Sequence, residues 1–273
     1  MATDSQTSAA TMPEGVSDRA YVRYPDLAGA SIFITGGGSG IGSYFVDAFA
    51  GQGAHVGFVS LTADSGRRLC DAVDRRRGRR PFYRDVDVRD VAALQTAMRD
   101  FAADAGAISV LVNNAARDNR HAIGDLSVDG WDDSVATNLR PYFFAAQQLA
   151  GDAGANGGAI INVGSNSASL GLAGYPAYVT AKAAILGLTR ALARELGPRG
   201  IRVNSLVPGW VMTERQRALW VTPEALQRCL DEQSLKTTIS GEDVAEAALF
   251  LASRASAMIT GQSLIIDGGR VMS

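Results

Sequence analysis

Cysteine and histidine are scarce in this 273-residue chain, with two of each. Cys70 and Cys229 offer neither a ligand spacing nor a disulfide framework, which fits a reducing cytoplasm. His55 and His121 are too few and too isolated for a typical zinc site, so no metal is expected. An excess of one charge is also missing. Lys plus Arg number 26 against 28 Asp plus Glu, a formal net charge of -2, which argues against a nucleic-acid surface. The basic run DRRRGRR at 74–80 reads as a solvated helix end, where positive charge is favourable. No apolar run approaches the roughly 18 residues of a membrane span. The opening MATDSQTSAATMPEGVSD lacks the basic start and apolar stretch of a signal peptide. Its composition suggests that residues 1–25 form a flexible tail outside the fold.

What is present alternates. Short β-branched runs at 31–35, 55–60, 81–86, 108–114, 158–165, 201–209 and 263–269 read as strands. Helical patterns lie between them, over about 41–52, 63–76, 90–105, 128–150, 178–196 and 240–253. Strands alternating with helices imply βαβ crossovers. Near-continuous apolar strands imply a sheet covered on both faces. The expected fold is α/β: one domain over 26–273, a doubly wound parallel sheet of about seven strands. Residues 210–239, with Trp210, Trp220 and Pro223, interrupt the alternation and read as a substrate lid.

Two local patterns carry chemistry. TGGGSGIG at 35–42 follows the first strand and opens the first helix. Glycine permits a tight turn and close approach of a pyrophosphate, and a helix N-terminus offers free N–H groups to it. Tyr178 and Lys182 lie four apart on one helix face. Alone, such a pair reads as a surface helix with a snorkelling lysine.

The order of motifs changes that reading. TGGGSGIG, NNAA at 113–116, Asn138 in ATNLR, Ser165 thirteen residues before Tyr178, YVTAK at 178–182, VPGWVMT at 207–213 and DGG at 267–269 resemble the short-chain dehydrogenase/reductase family. The resemblance spans about residues 27–270 and departs at Ala116, where the family usually has glycine. It implies a Rossmann-type fold and an NAD(P)-dependent oxidoreductase with a small-molecule substrate. Tyr178 is then the general acid/base. Ser165 orients the reacting oxygen, Lys182 binds ribose and favours the phenolate, and Asn138 supports a proton relay. The cofactor set is Gly36, Gly38, Ser39, Gly40, Ile41, Gly42, Ser60, Asp87, Val88, Asn114, Tyr178, Lys182, Pro208, Val211 and Thr213. Ser60 replaces the acid that would repel a 2′-phosphate, which tilts the choice between NADP and NAD slightly to NADP.

Within the family, NNAARDNRH, LGLAGYPAY and VPGWVMTERQ look closest to bacterial D-xylose and related aldose 1-dehydrogenases. Asp118, Asn119, Arg120, Gln216 and a stacking Trp220 would then meet a pentose-like sugar, beside Ser165 and Tyr178. Readings as a 3-oxoacyl-thioester reductase, another alcohol dehydrogenase, or a non-catalytic NAD(P)-binding regulator stay open. Family analogy implies a homotetramer.

Overall fold

Ile32, Phe33 and Ile34 follow one another without a polar break, and the strand they form is buried on both faces. The computed structural model describes residues 13–152 and 157–272. Seven strands make one parallel sheet: β1 (Ser31–Thr35), β2 (His55–Ser60), β3 (Phe82–Asp85), β4 (Val110–Asn113), β5 (Gly158–Val163), β6 (Ile201–Pro208) and β7 (Ser263–Ile266). Their order is β3-β2-β1-β4-β5-β6-β7. The helices are α1 (Gly40–Gly51), α2 (Ala63–Arg77), α3 (Val91–Ala105), α4 (Val128–Asn138), α5 (Arg140–Asp152), α6 (Ser167–Leu170), α7 (Pro176–Leu196), α8 (Glu214–Leu219), α9 (Pro223–Glu232) and α10 (Gly241–Ala252).

Strand alternation divides the core between two faces. Ile32, Ile34, Val56 and Phe58 pack with α1, α2 and α10. Phe33, Val59, Leu111 and Ile160 pack with α3, α5 and α7. Chain order reverses between β1 and β4, which opens a crevice at their carboxyl ends.

Three expectations are corrected. The single helix expected over 128–150 is two, because α4 ends at Leu139, whose backbone leaves the helical region. Pro141 follows at once and has no N–H to continue the ladder. The basic run is only partly a solvated end. α2 does stop there, but Arg77 grips both oxygens of Asp47, at 2.9 and 2.7 Å, and that carboxylate is fully buried. A buried charge requires such a partner.

The expected N-terminal tail also divides. Residues 1–12 lie outside the described residues. Residues 13–25 pack on the domain: Val16 and Tyr21 are buried, Arg19 pairs with Asp243 at 2.7 Å, and the Tyr24 N–H donates to Gln52 at 2.9 Å. Two apolar anchors suffice to dock a segment whose composition is polar.

Candidate active site

A cavity of about 770 Å³ occupies the crevice. Gly36, Ser39, Gly40, Ile41 and Asn114 line its floor near α1. Ser60, Asp87 and Val88 line one end. Ser165, Tyr178 and Lys182 lie together in the middle, with Pro208, Val211 and Thr213 on the far side. Arg120, Gln216 and Trp220 form a wall.

Four expected site residues are not brought to the cavity lining. Gly38 and Gly42 lie beneath it. A Cβ on Gly38 would stand 2.5 Å from Ser60 Oγ, and one on Gly42 would strike the Gly36 carbonyl. These glycines shape the loop. Asn119 is exposed beside the cavity. Asn138 is buried, and its amide grips the main chain after β4: Oδ1 accepts from the Arg117 N–H at 2.7 Å, and Nδ2 donates to the Arg117 carbonyl at 3.2 Å. Asn114 acts in a similar way, donating to the carbonyls of Thr35 and Gly36 at 3.2 and 3.0 Å. The glycine loop and the segment after β4 are thereby locked to each other.

Tyr178 and Lys182 are arranged differently from what spacing alone implies. Lys182 is buried, and its ammonium donates to Tyr142 Oη at 3.0 Å and to the Val163 carbonyl at 2.8 Å. It lies 5.7 Å from the centre of the Tyr178 ring. Burial pushes Lys182 down to about 7 from an ordinary 10.5. Burial pushes the Tyr178 phenol well above its ordinary 10.0. A hydrogen bond with Ser165 opposes that rise, Asp118 and Tyr175 add to it, and Arg120 opposes it. In the cofactor-free chain burial thus favours the protonated phenol of Tyr178. The lysine's charge is directed to a carbonyl and is itself penalised by desolvation.

The wall is a network of side chains. Asp118 Oδ2 accepts from Gln216 Nε2 at 3.1 Å, and Trp210 Nε1 donates to Gln216 Oε1 at 2.9 Å. The Arg120 guanidinium lies between Tyr175 and Trp220, 4.3 and 4.6 Å from their ring centres. Trp220 therefore presents its face to Arg120 rather than standing open as a stacking plate. Sequence reasoning missed Glu14, Tyr175 and Arg270, which also line the cavity. Glu14 comes from an N-terminal segment that no motif marks, whereas Tyr175, the N-cap of the Tyr178 helix, and Arg270, directly after DGG, lie beside motifs that gave them no role.

A dinucleotide fits this crevice. Gly40 has a left-handed φ of +56°, and a Cβ there would find nothing nearer than Thr213 Cγ2 at 4.0 Å. A side chain would project into the space that a phosphate needs at the helix N-terminus. Asp87 is held by Arg89 at the Ser60 end of the cavity, and that guanidinium keeps its carboxyl below the usual range. Among the described residues, no group of three or more His, Cys, Asp or Glu could hold a metal ion. No helix among them is long and apolar enough to cross a membrane.

Comparison with known proteins agrees with this geometry. A family model described as enoyl-(acyl carrier protein) reductase matches residues 36–270. A protein named "probable galactose dehydrogenase GalD" from Rhizobium meliloti is 45% identical, over 90% of this chain and 97% of its own. D-xylose 1-dehydrogenase from Caulobacter vibrioides is 44% identical, over 90% of this chain and 97% of its own. A blue fluorescent protein from a metagenomic library, solved with NADPH, superposes with a TM-score of 0.83 at 33% identity, covering 90% of this chain and 99% of that one. With this crevice, this ordered set of site residues and these relatives, the chain belongs to the short-chain dehydrogenase/reductase family of NAD(P)-dependent oxidoreductases.

Proposed function

We propose that the protein oxidises the anomeric carbon of a pentose-like aldose to a lactone, with a preference for NADP+ over NAD+. The wall beside Tyr178 carries this reading. Asp118 and Gln216 present a carboxylate and an amide that are only partly satisfied by one another. Sugar hydroxyls would add hydrogen bonds to the remaining acceptor sites of Asp118 and Gln216, which an acyl chain could not do. The two sugar-dehydrogenase relatives support the same substrate class.

Support for NADP+ comes from the end of β2. Ser60 stands where an acid would repel a 2′-phosphate, followed by Leu61 and Thr62. The acid that does line this end, Asp87, is neutralised by Arg89. The NADPH complex of the structural neighbour points the same way.

When bound, the oxidised cofactor supplies the hydride acceptor and a positive charge. The protein's own groups handle the proton. Ser165 Oγ, bonded to Ser167 Oγ at 2.8 Å, is positioned to orient the anomeric oxygen. Tyr178 Oη receives the proton of that hydroxyl as its own proton passes to Lys182 in its neutral form and from there to solvent. A lysine whose pKa lies at about 7 can both take and release a proton near neutrality. Asn138 holds the segment that carries Asp118 and Arg120 and so positions the wall over Tyr178.

The same reading includes a homotetramer built partly on α4, α5 and α7, supported by the exposed Trp131 and Phe143, and a reducing cytoplasm, supported by the two free, buried cysteines. Sizing in solution tests the first. The function is tested by initial rates on D-xylose, L-arabinose, D-galactose, D-glucose and L-fucose, each with NAD+ and NADP+. Saturable turnover on one sugar is expected, higher with NADP+, and reduced about 10²–10⁴-fold in Tyr178→Phe. Silence on every sugar, with reduction of acetoacetyl thioesters or simple ketones, would discard the sugar assignment.

A further inference from the structure

A carboxylate from the N-terminal segment stands in the anion position of the cofactor crevice. Glu14 Oε2 accepts from the Gly40 N–H at 2.8 Å, and Oε1 accepts from the Glu214 N–H at 2.7 Å. Gly40 is the first residue of α1, and Glu214 is the first of α8. One side chain thus bridges the glycine loop to the start of the lid. The free N–H groups and positive end of α1 are what a pyrophosphate would take. An N–H held by a carboxylate is not free for a phosphate, and two anions at one helix end repel each other.

The bridge is anchored by its neighbours. Gly15 lies against Ser43 of α1 with φ +92°; a Cβ there would overlap the serine side chain and come within 2.5 Å of its carbonyl carbon. Val16 is buried, Asp18 pairs with Arg76 at 2.6 Å, and Arg19 pairs with Asp243 at 2.7 Å. These contacts reach α1, α2 and α10, all on one face of the sheet. The pairs at Asp18 and Arg19 are solvent-exposed, so they hold the segment only weakly. Lifting the segment uncovers Val16 but breaks no strand or helix of the sheet domain, so it costs less than opening a core element.

We propose that residues 13–19 form a strap whose Glu14 carboxylate occupies the pyrophosphate position and must leave before NAD(P) binds. Docking of the strap then sets the affinity for the cofactor and, through Glu214, the position of the lid. The apparent dissociation constant rises as the undocked fraction falls. A strap docked about nine-tenths of the time weakens binding about tenfold. Cofactor association also acquires a first-order step, so its observed rate levels off as cofactor concentration increases. The inference rests on the dinucleotide reading of the crevice and is independent of the sugar.

The test is direct titration of the full chain with NADPH, followed by fluorescence without any sugar, in wild type, Glu14→Ala and Gly15→Ala. The first variant removes the carboxylate. The second keeps it but lifts the backbone from Ser43. Both are expected to bind NADPH about tenfold more tightly, and inorganic pyrophosphate should gain affinity in the same way. Stopped-flow rates should plateau in wild type and rise linearly in Glu14→Ala. Unchanged affinity in Glu14→Ala would overturn the strap. So would weaker binding, which would instead make Glu14 a residue that helps retain the cofactor. If wild type and both variants bind neither NADPH nor NADH, the dinucleotide reading fails, and the strap fails with it.

Discussion

The floor and the wall of the crevice are held by different kinds of contact. On the floor, anchoring side chains end mostly on the main chain, although Lys182 also reaches Tyr142 Oη. Lys182 reaches the Val163 carbonyl, Asn114 the carbonyls of Thr35 and Gly36, and Asn138 both polar groups of Arg117. On the wall, side chain meets side chain: Asp118 with Gln216, Gln216 with Trp210, Arg120 with Tyr175 and Trp220. Backbone partners belong to the sheet and survive substitution of neighbouring residues. Side-chain partners are lost with a single change. Such a division lets one scaffold keep its chemistry while the wall is recut for another substrate.

The comparison predicts where substitutions act, and Lys182 gives the largest effect. Lys182→Met should lower turnover at least about 10²-fold, because the proposed mechanism passes the Tyr178 proton on through this group. It should also change how stability depends on pH. With a pKa of about 7 in the fold against an ordinary 10.5, Lys182 binds more protons in the unfolded chain than in the native one between those values. Its penalty is therefore full below pH 7, and the cofactor-free protein gains stability as pH rises from about 7 to 9. Urea midpoints across that window should rise in wild type and stay flatter in Lys182→Met. Equal slopes would show that the buried ammonium does not titrate there.

Asp118→Ala tests the wall next. It removes the acceptor that holds Gln216 and a partner of Arg215. KM for the sugar should rise about tenfold, as expected for one lost charged hydrogen bond, with kcat changed much less. An equal fall in kcat with unchanged KM would move Asp118 from the wall to the chemistry. Arg120→Ala should have the smallest effect. A cation–π contact is worth about 0.5–1 kcal/mol at an exposed site, so KM should rise about two- to fivefold. The sign matters more than the size: a lower KM would mean that Arg120, lying on Trp220, screens the ring from substrate.

Much of the floor could be read from the chain. The glycine loop is a local device, and its spacing with a strand before and a helix after was enough to place it. Ser165, Tyr178 and Lys182 come from the end of one strand and the next long helix, and all three line the same cavity. The wall was legible only as a set of polar side chains. Nothing local told that Trp220 would lie beneath Arg120, or that Asp118 would hold Gln216 across 98 residues of sequence. The break at Leu139 was hidden because both flanking segments are helical and only Pro141 marked the join.

Short-range rules therefore account for the strands, most helices, the glycine loop and the placing of Tyr178 and Lys182 on one helix face. They depend on backbone conformation and on periodicities of two and 3.6 residues, which any short segment displays. Packing set the rest. It turned a lysine's charge toward the Val163 carbonyl, paired Arg77 with the buried Asp47, and brought Glu14 to Gly40 and Glu214, the latter 200 residues away. Charge and hydrogen bonding act across space over a few ångströms, whatever the separation along the chain, so only the folded molecule determines which groups they join.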